Sequence, residues 1–126
     1  MQGISVIICC YNSSARLTET IKHISLQKGV NFPFEIILVD NNSTDDTAKA
    51  AEQLFLKFKI NYKLVSESKP GLTYARKCGV LHAKHEILIF CDDDNWLDEN
   101  YLINVKKGFA KYPDAGNLGA WSTPDI

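Results

Sequence analysis

Short apolar runs alternate along this chain with segments of helical spacing. Ile4 to Ile8 is a run rich in β-branched residues, suited to a strand buried on both faces. Asn12, Ser13 and Ser14 follow it as turn and helix-capping types, and Leu17, Ile21 and Ile24 then recur at helical spacing. Gly29, Asn31 and Pro33 break the chain before Glu35 to Val39, a second buried strand. Asn41 to Thr44 is another capping stretch. Asp45 and Asp46 are expected in the first turn of the next helix, where carboxylates complement the helix dipole. That helix should run to about Lys57 and turn Ala48, Ala51, Leu54, Phe55 and Phe58 inward.

Tyr62 to Val65 reads as a third strand, and Pro70-Gly71 turns the chain. A helix is predicted over Leu72 to His82, with Leu72, Ala75, Val80 and Ala83 as its apolar positions. Glu86 to Phe90 is a fourth strand, running directly into Cys91-Asp92-Asp93-Asp94-Asn95. A last helix covers roughly Asp98 to Lys111, Pro113 stops it, and Leu118 to Trp121 begins a fifth strand. Strand and helix alternate with no hairpin signal and no repeat. The expected fold is therefore α/β: a three-layer α/β/α arrangement around a mostly parallel sheet, in one domain over residues 1–126. Ending a few residues past a predicted strand, the chain reads as the N-terminal portion of a longer catalytic domain.

Composition narrows the class. Apolar residues make up 45% of the 126, enough for a real core, and charged residues 23%. A net charge of −1 gives no reason to expect nucleic acid as a partner. No apolar run approaches the ~20 residues of a membrane span, and the opening stretch lacks the basic flank of a signal peptide. Cys9, Cys10, Cys78 and Cys91 form no C-x-x-C pair and read as reduced cysteines of a cytoplasmic protein.

Ligands of open α/β sheets bind beyond the carboxyl ends of the strands, so the residues following each strand carry the candidate chemistry. Asp92, Asp93 and Asp94 repel one another unless a cation is near, and their hard oxygens suit Mg²⁺ or Mn²⁺ held together with substrate phosphates. In extended backbone Asp92 and Asp94 would point the same way. An acidic run that merely faces water explains the spacing equally well. Tyr11 could stack on a planar base or simply pack. Asp40 could accept hydrogen bonds from a base or ribose, or hold the turn that follows it. Arg76 and Lys77 could neutralise phosphate or line a surface helix. His82 and His85 are expected to face solvent rather than bind metal. Trp96 is a packing residue or the wall of a sugar pocket.

Taken together, the stretches ISVIICCYN, EIILVDNNSTDDT and KPGLTYARKCGVLHAKHEILIFCDDDN resemble the family 2 glycosyltransferases, from Ile4 to about Tyr101. The resemblance implies a Rossmann-like GT-A fold, a nucleotide-diphospho-sugar donor, and inversion at the anomeric carbon. The acceptor would be a sugar or lipid-linked sugar in cell-surface polysaccharide or glycan synthesis. It implies that Asp94 ligates Mn²⁺ or Mg²⁺ with help from Asp92. Tyr11, Asp40, Asn41, Arg76, Asp92 and Asp93 would bind the donor, Tyr11 by stacking on the base. Asn41 stands where aspartate is frequent, Lys77 where asparagine is usual, and His85 where glycine is common. The base that deprotonates the acceptor is expected beyond Ile126, since Asp114 and Asp125 lack the family context. On this reading residues 1–126 bind donor weakly and transfer nothing. The whole protein could sit at a membrane surface, and the face left uncovered could pair two copies. Two alternatives stay open: a Mg²⁺-dependent phosphotransfer or receiver-like domain, and a non-catalytic nucleotide-binding module. A dinucleotide-binding domain is disfavoured, since no G-x-G-x-x-G follows a strand.

Overall fold

The computed structural model describes residues 2–112. Eight elements alternate: β1 (Ile4–Cys10), α1 (Leu17–Ser25), β2 (Phe34–Asp40), α2 (Thr47–Phe58), β3 (Tyr62–Ser66), α3 (Leu72–His82), β4 (Ile87–Asp92) and α4 (Tyr101–Lys111). Each anticipated element within this range is present. The strands run one or two residues further toward their carboxyl ends than the apolar runs suggested, because Cys9, Cys10, Asp40 and Asp92 keep ladder partners. The proposed strand at Leu118 to Trp121, and Asp114 and Asp125, lie outside the described residues.

All pairings are parallel and the strand order is β3-β2-β1-β4. Register sets the strand ends in line: Cys10 stands opposite Asp40, Asp40 opposite Ser66, and Cys9 opposite Asp92. Parallel strands buried on both faces need apolar side chains at successive positions, which ISVIICC and FEIILVD supply. One face packs Ile4, Val6, Ile8, Ile36, Leu38 and Ile89 against Leu17, Ile21 and Ile24 of α1, Ala51 and Phe55 of α2, and Leu102 of α4. Each of these large aliphatic side chains contributes roughly 1.5–3 kcal/mol by leaving water. The other face holds Ile7, Ile37 and Val39 against Ala75 of α3. A right-handed connection from β3 back across the sheet to β4 has to pass over that second face, which places α3 there.

Three local expectations change. Asp45 and Asp46 precede α2 instead of occupying its first turn. Asp46 is the cap residue, and the Asp45 carboxylate accepts from the Thr47 backbone N–H at 3.0 Å, satisfying a donor the helix cannot reach. Ser13 does not cap α1 with its side chain, which turns instead to the acidic loop described below. Helix α3 faces the sheet with Ala75 and Gly79, while Leu72, Val80 and Leu81 are exposed. The cause is steric. A Cβ at residue 79 would collide with Ile7 Cγ2, so α3 lies closer to the sheet than larger side chains permit, and its bulky residues are turned outward.

Candidate active site at the carboxyl edge of the sheet

The connections leaving β1 and β2 turn to one face of the sheet and the one leaving β3 turns to the other, so a crevice opens above the strand ends. It is a cleft of about 340 Å³ lined by Cys9, Cys10, Tyr11, Asn41, Pro70, Gly71, Leu72 and Ala75. Tyr11 is 58% exposed at its rim, an aromatic ring held at a strand end without being packed away. Gly71 adopts φ +122°, a conformation costly for any side chain, and this lets the chain turn sharply from the loop into α3.

Asn41 shapes this cleft in a way its position in the sequence does not reveal. Its side chain is nearly buried, at 8% exposure. Its amide NH₂ donates to the carbonyls of Glu67 (3.0 Å) and Lys69 (2.7 Å), and its carbonyl oxygen accepts from the Gly71 N–H (3.1 Å). Both donors are thus spent on the loop after β3, and the residue braces the cleft wall. Asp40 is half-buried, and its Oδ1 accepts from the Ser43 N–H at 3.2 Å, holding the turn. Asn12, at φ 49°, joins the loop after β1 to the loop after β2: its side-chain oxygen accepts from the backbone N–H groups of Thr44 (2.8 Å) and Asp45 (3.3 Å).

The acidic run divides. Strand β4 ends at Asp92, and Asp93 and Asp94 form a turn, so the extended geometry that would align Asp92 with Asp94 does not continue past the strand. Asp92 and Asp94 are exposed. Asp93 is not: its side chain is 18% exposed and its Oδ2 receives Arg16 at 2.8 Å together with the Ser13 hydroxyl. The Thr20 hydroxyl donates to the Asp93 carbonyl at 2.6 Å, which ties α1 to the same turn. The hydrogen bond and charge of Asp93 push the Arg16 guanidinium further above its ordinary pKa. Sequence reasoning missed Ser13, Arg16 and Thr20 here. No local signal marks them, because their partner lies more than 70 residues along the chain.

Arg76 is exposed on α3, with its guanidinium 5.4 Å from the ring centre of Phe90 on β4. Burial pushes the Cys9 thiol up to about 11, opposed by the charge of Arg76 and reinforced by Cys78 and Asp92. Burial likewise raises Cys10 and Cys91 to about 12, so both stay protonated and inert at neutral pH. His82 receives no role here: its Nδ1 lies 2.9 Å from the Cys78 carbonyl at the end of α3. Trp96, 54% exposed, stacks on His23 of α1, centroids 5.3 Å apart and planes 9° from parallel.

The donor set fits a hard divalent cation. Among the described residues no three His, Cys, Asp or Glu side chains form a ready-made cage. Two exposed carboxylates, one ending a strand and one in the turn that follows, are what a Mg²⁺ or Mn²⁺ ion uses when phosphates complete its coordination.

Comparison with known proteins decides the family. The family model described as glycosyl transferase family 2 matches residues 5–125. The chain belongs to that family. Glycosyltransferase GlyG of Streptococcus pneumoniae serotype 4 is 33% identical over 99 residues, covering 79% of this chain but 32% of GlyG. The crystal structure of TarS from Staphylococcus aureus superposes with a TM-score of 0.77 at 26% identity, covering 90% of this chain and 20% of that one. The mannosyltransferase PcManGT of Pyrobaculum calidifontis, in complex with GDP-Man and Mn²⁺, superposes at 0.76 with 28% identity, covering 85% of this chain and 32% of its own. The fold is that of the GT-A glycosyltransferases, and the chain spans about a third or less of these relatives. No helix among the described residues is long and apolar enough to cross a membrane.

Proposed function

We propose that this chain carries the donor site of a metal-dependent, inverting glycosyltransferase that moves a sugar from a nucleoside-diphosphate sugar to a hydroxyl acceptor. The observation that carries the reading is one juxtaposition. A cleft rimmed by an exposed aromatic and two exposed carboxylates, one ending β4 and one in the turn that follows, meet at the carboxyl ends of adjacent strands β1 and β4. The ring of Tyr11 offers a stacking surface for the base, worth roughly 1–3 kcal/mol in comparable nucleotide sites. Asp40 keeps acceptor capacity beyond its bond to Ser43 and can take a hydrogen bond from base or ribose. Asn41 holds the cleft wall, and Arg76 supplies positive charge beside the end of β4.

Asp92 and Asp94 would hold the Mn²⁺ or Mg²⁺ ion. Bound there, it would offset the charge that develops on the departing diphosphate. PcManGT, with its GDP-Man and Mn²⁺, supports a diphosphate sugar and a divalent ion as the pair of ligands. The acceptor is a sugar or lipid-linked sugar, and its general base lies outside the described residues. We place the reaction on the cytoplasmic side of cell-surface polysaccharide or glycan synthesis, with the exposed outer face of α3 available to a second copy. Calorimetric titration of UDP, GDP and dTDP with and without Mn²⁺ tests the core of this reading. Manganese-dependent binding of one of them is the expected result. Metal-independent binding would remove the cation from the site, and no binding of any, here or in the whole protein, would end the donor-site assignment.

A further inference from the structure

Three adjacent aspartates raise a question that the donor-site reading leaves open: what keeps them from acting interchangeably. At close range three carboxylates destabilise one another, and a loop able to present any two of them would bind a cation in several weak arrangements. The structure separates them with residues from the opposite end of the sequence. Arg16 Nη2 reaches Asp93 Oδ2 at 2.8 Å, and the fully buried Ser13 hydroxyl donates to the same oxygen. Thr20 fixes the Asp93 backbone carbonyl, so the residue is clamped through side chain and main chain at once. Asp92 and Asp94, on either side, stay exposed.

The same guanidinium has a second attachment. Nη2 of Arg16 also lies 3.4 Å from the Tyr11 carbonyl and 3.4 Å from the Ser13 hydroxyl, and Ser13 Oγ in turn accepts from the Tyr11 N–H at 3.2 Å. Tyr11 therefore sits on a backbone held at its carbonyl and its amide by the two residues that hold Asp93. As an isolated surface ion pair, a half-exposed arginine would contribute little. Its placement matters because it joins two loops that carry different parts of the ligand.

We propose that Arg16 is a positioning residue that withdraws Asp93 from cation binding, leaves Asp92 and Asp94 as the open pair, and locks the acidic turn to the Tyr11 loop. This inference rests on the donor-site reading above. It assigns Arg16 no contact with the nucleotide.

The test compares wild type, Arg16→Ala, Arg16→Lys and Asp93→Asn in the intact chain. The probe is the nucleoside diphosphate that wild type binds, titrated with and without Mn²⁺, and Mn²⁺ bound in the ternary complex is followed by electron paramagnetic resonance. Outer-sphere partners of metal sites typically change affinity about 10–100-fold. Arg16→Ala should lower the manganese-dependent gain in nucleotide affinity about tenfold and broaden the Mn²⁺ spectrum, with metal-free nucleotide affinity far less affected. Arg16→Lys should recover part of the gain, since an ammonium supplies the charge without the planar fork. Asp93→Asn keeps the side chain's shape but cannot compete for the cation, so it should loosen the turn without broadening the Mn²⁺ spectrum and cost less of the manganese-dependent gain than Arg16→Ala; an equal loss with equal broadening would overturn the inference. A folded Arg16→Ala protein with wild-type manganese dependence overturns the inference and leaves the donor site standing. A wild type that binds nucleotide without manganese dependence overturns the inference and the cation assignment, and one that binds no nucleotide overturns the donor site as well.

Discussion

The two edges of this sheet use carboxylates in opposite ways. At the amino edge Glu35 is 2% exposed, and its Oε2 accepts from the Ser5 hydroxyl (2.7 Å) and the Lys84 N–H (2.7 Å) while Lys63 stands 3.7 Å from Oε1. Burial alone would raise its pKa. The Lys84 N–H, the Ser5 hydroxyl and the charges of Lys63 and His85 outweigh burial and hold it below the usual carboxylate range. At the carboxyl edge Asp92 and Asp94 are exposed, and within the acidic run only Asp93 is tied down. A carboxylate surrounded by the protein's own donors holds the fold together, and one left exposed at the strand ends is free for a ligand. The contrast locates function better than acidic composition does.

Breaking the amino-edge carboxylate should have the largest effect. Glu35→Ala leaves the Ser5 and Lys84 donors without their acceptor and should lower stability by about 3 kcal/mol in denaturant unfolding. Nucleotide affinity of the remaining folded protein should not change. The pH dependence has a definite sign. The folded pKa lies below the unfolded one, so this contribution is present above the ordinary carboxylate value of 4.5 and is lost as pH falls through the folded value. Glu35→Gln should flatten that part of the acid limb of a stability–pH curve; an unchanged limb would place the acid sensitivity elsewhere.

At the other edge Asp94→Ala should abolish most of the manganese-dependent gain in nucleotide affinity, roughly tenfold or more, while unfolding stays within about 0.5 kcal/mol of wild type. Unchanged affinity in calorimetry would remove Asp94 from the cation site. The smallest effect sharpens the boundary between the two behaviours. Asn41→Asp keeps the shape but loses both amide donors to the Glu67 and Lys69 carbonyls, and should cost about 1 kcal/mol of stability. It should weaken UDP, GDP and dTDP alike, as befits a wall residue. A change in preference among the three bases would show that Asn41 reads the base directly.

Element types and order were legible because buried parallel strands need continuous apolar runs and the amphipathic helices between them a 3.6-residue period. Helix α3 was placed correctly, but its facing was only half legible. Ala75 does face the sheet, whereas Gly79 carries no side chain to mark its contact, and Leu72 and Val80, read as apolar positions together with Ala75, are exposed. In the site, residues standing directly after strands could be found from position alone, as Tyr11, Asp40 and the acidic run were. Their division of labour could not. It depends on Arg16 meeting Asp93 and on Asn41 meeting Lys69, pairings created by strand order, and strand order leaves no trace in local spacing.

Gly79 also acts as a spacer. Because among the described residues α3 is the helix on the second face of the sheet, the depth of the crevice depends on how near that helix can come, and a single missing methyl sets that distance. A side chain at position 79 would lift α3 and carry Leu72 and Ala75 with it. Reshaping this pocket for a bulkier ligand could thus begin one helical turn away from anything the ligand touches.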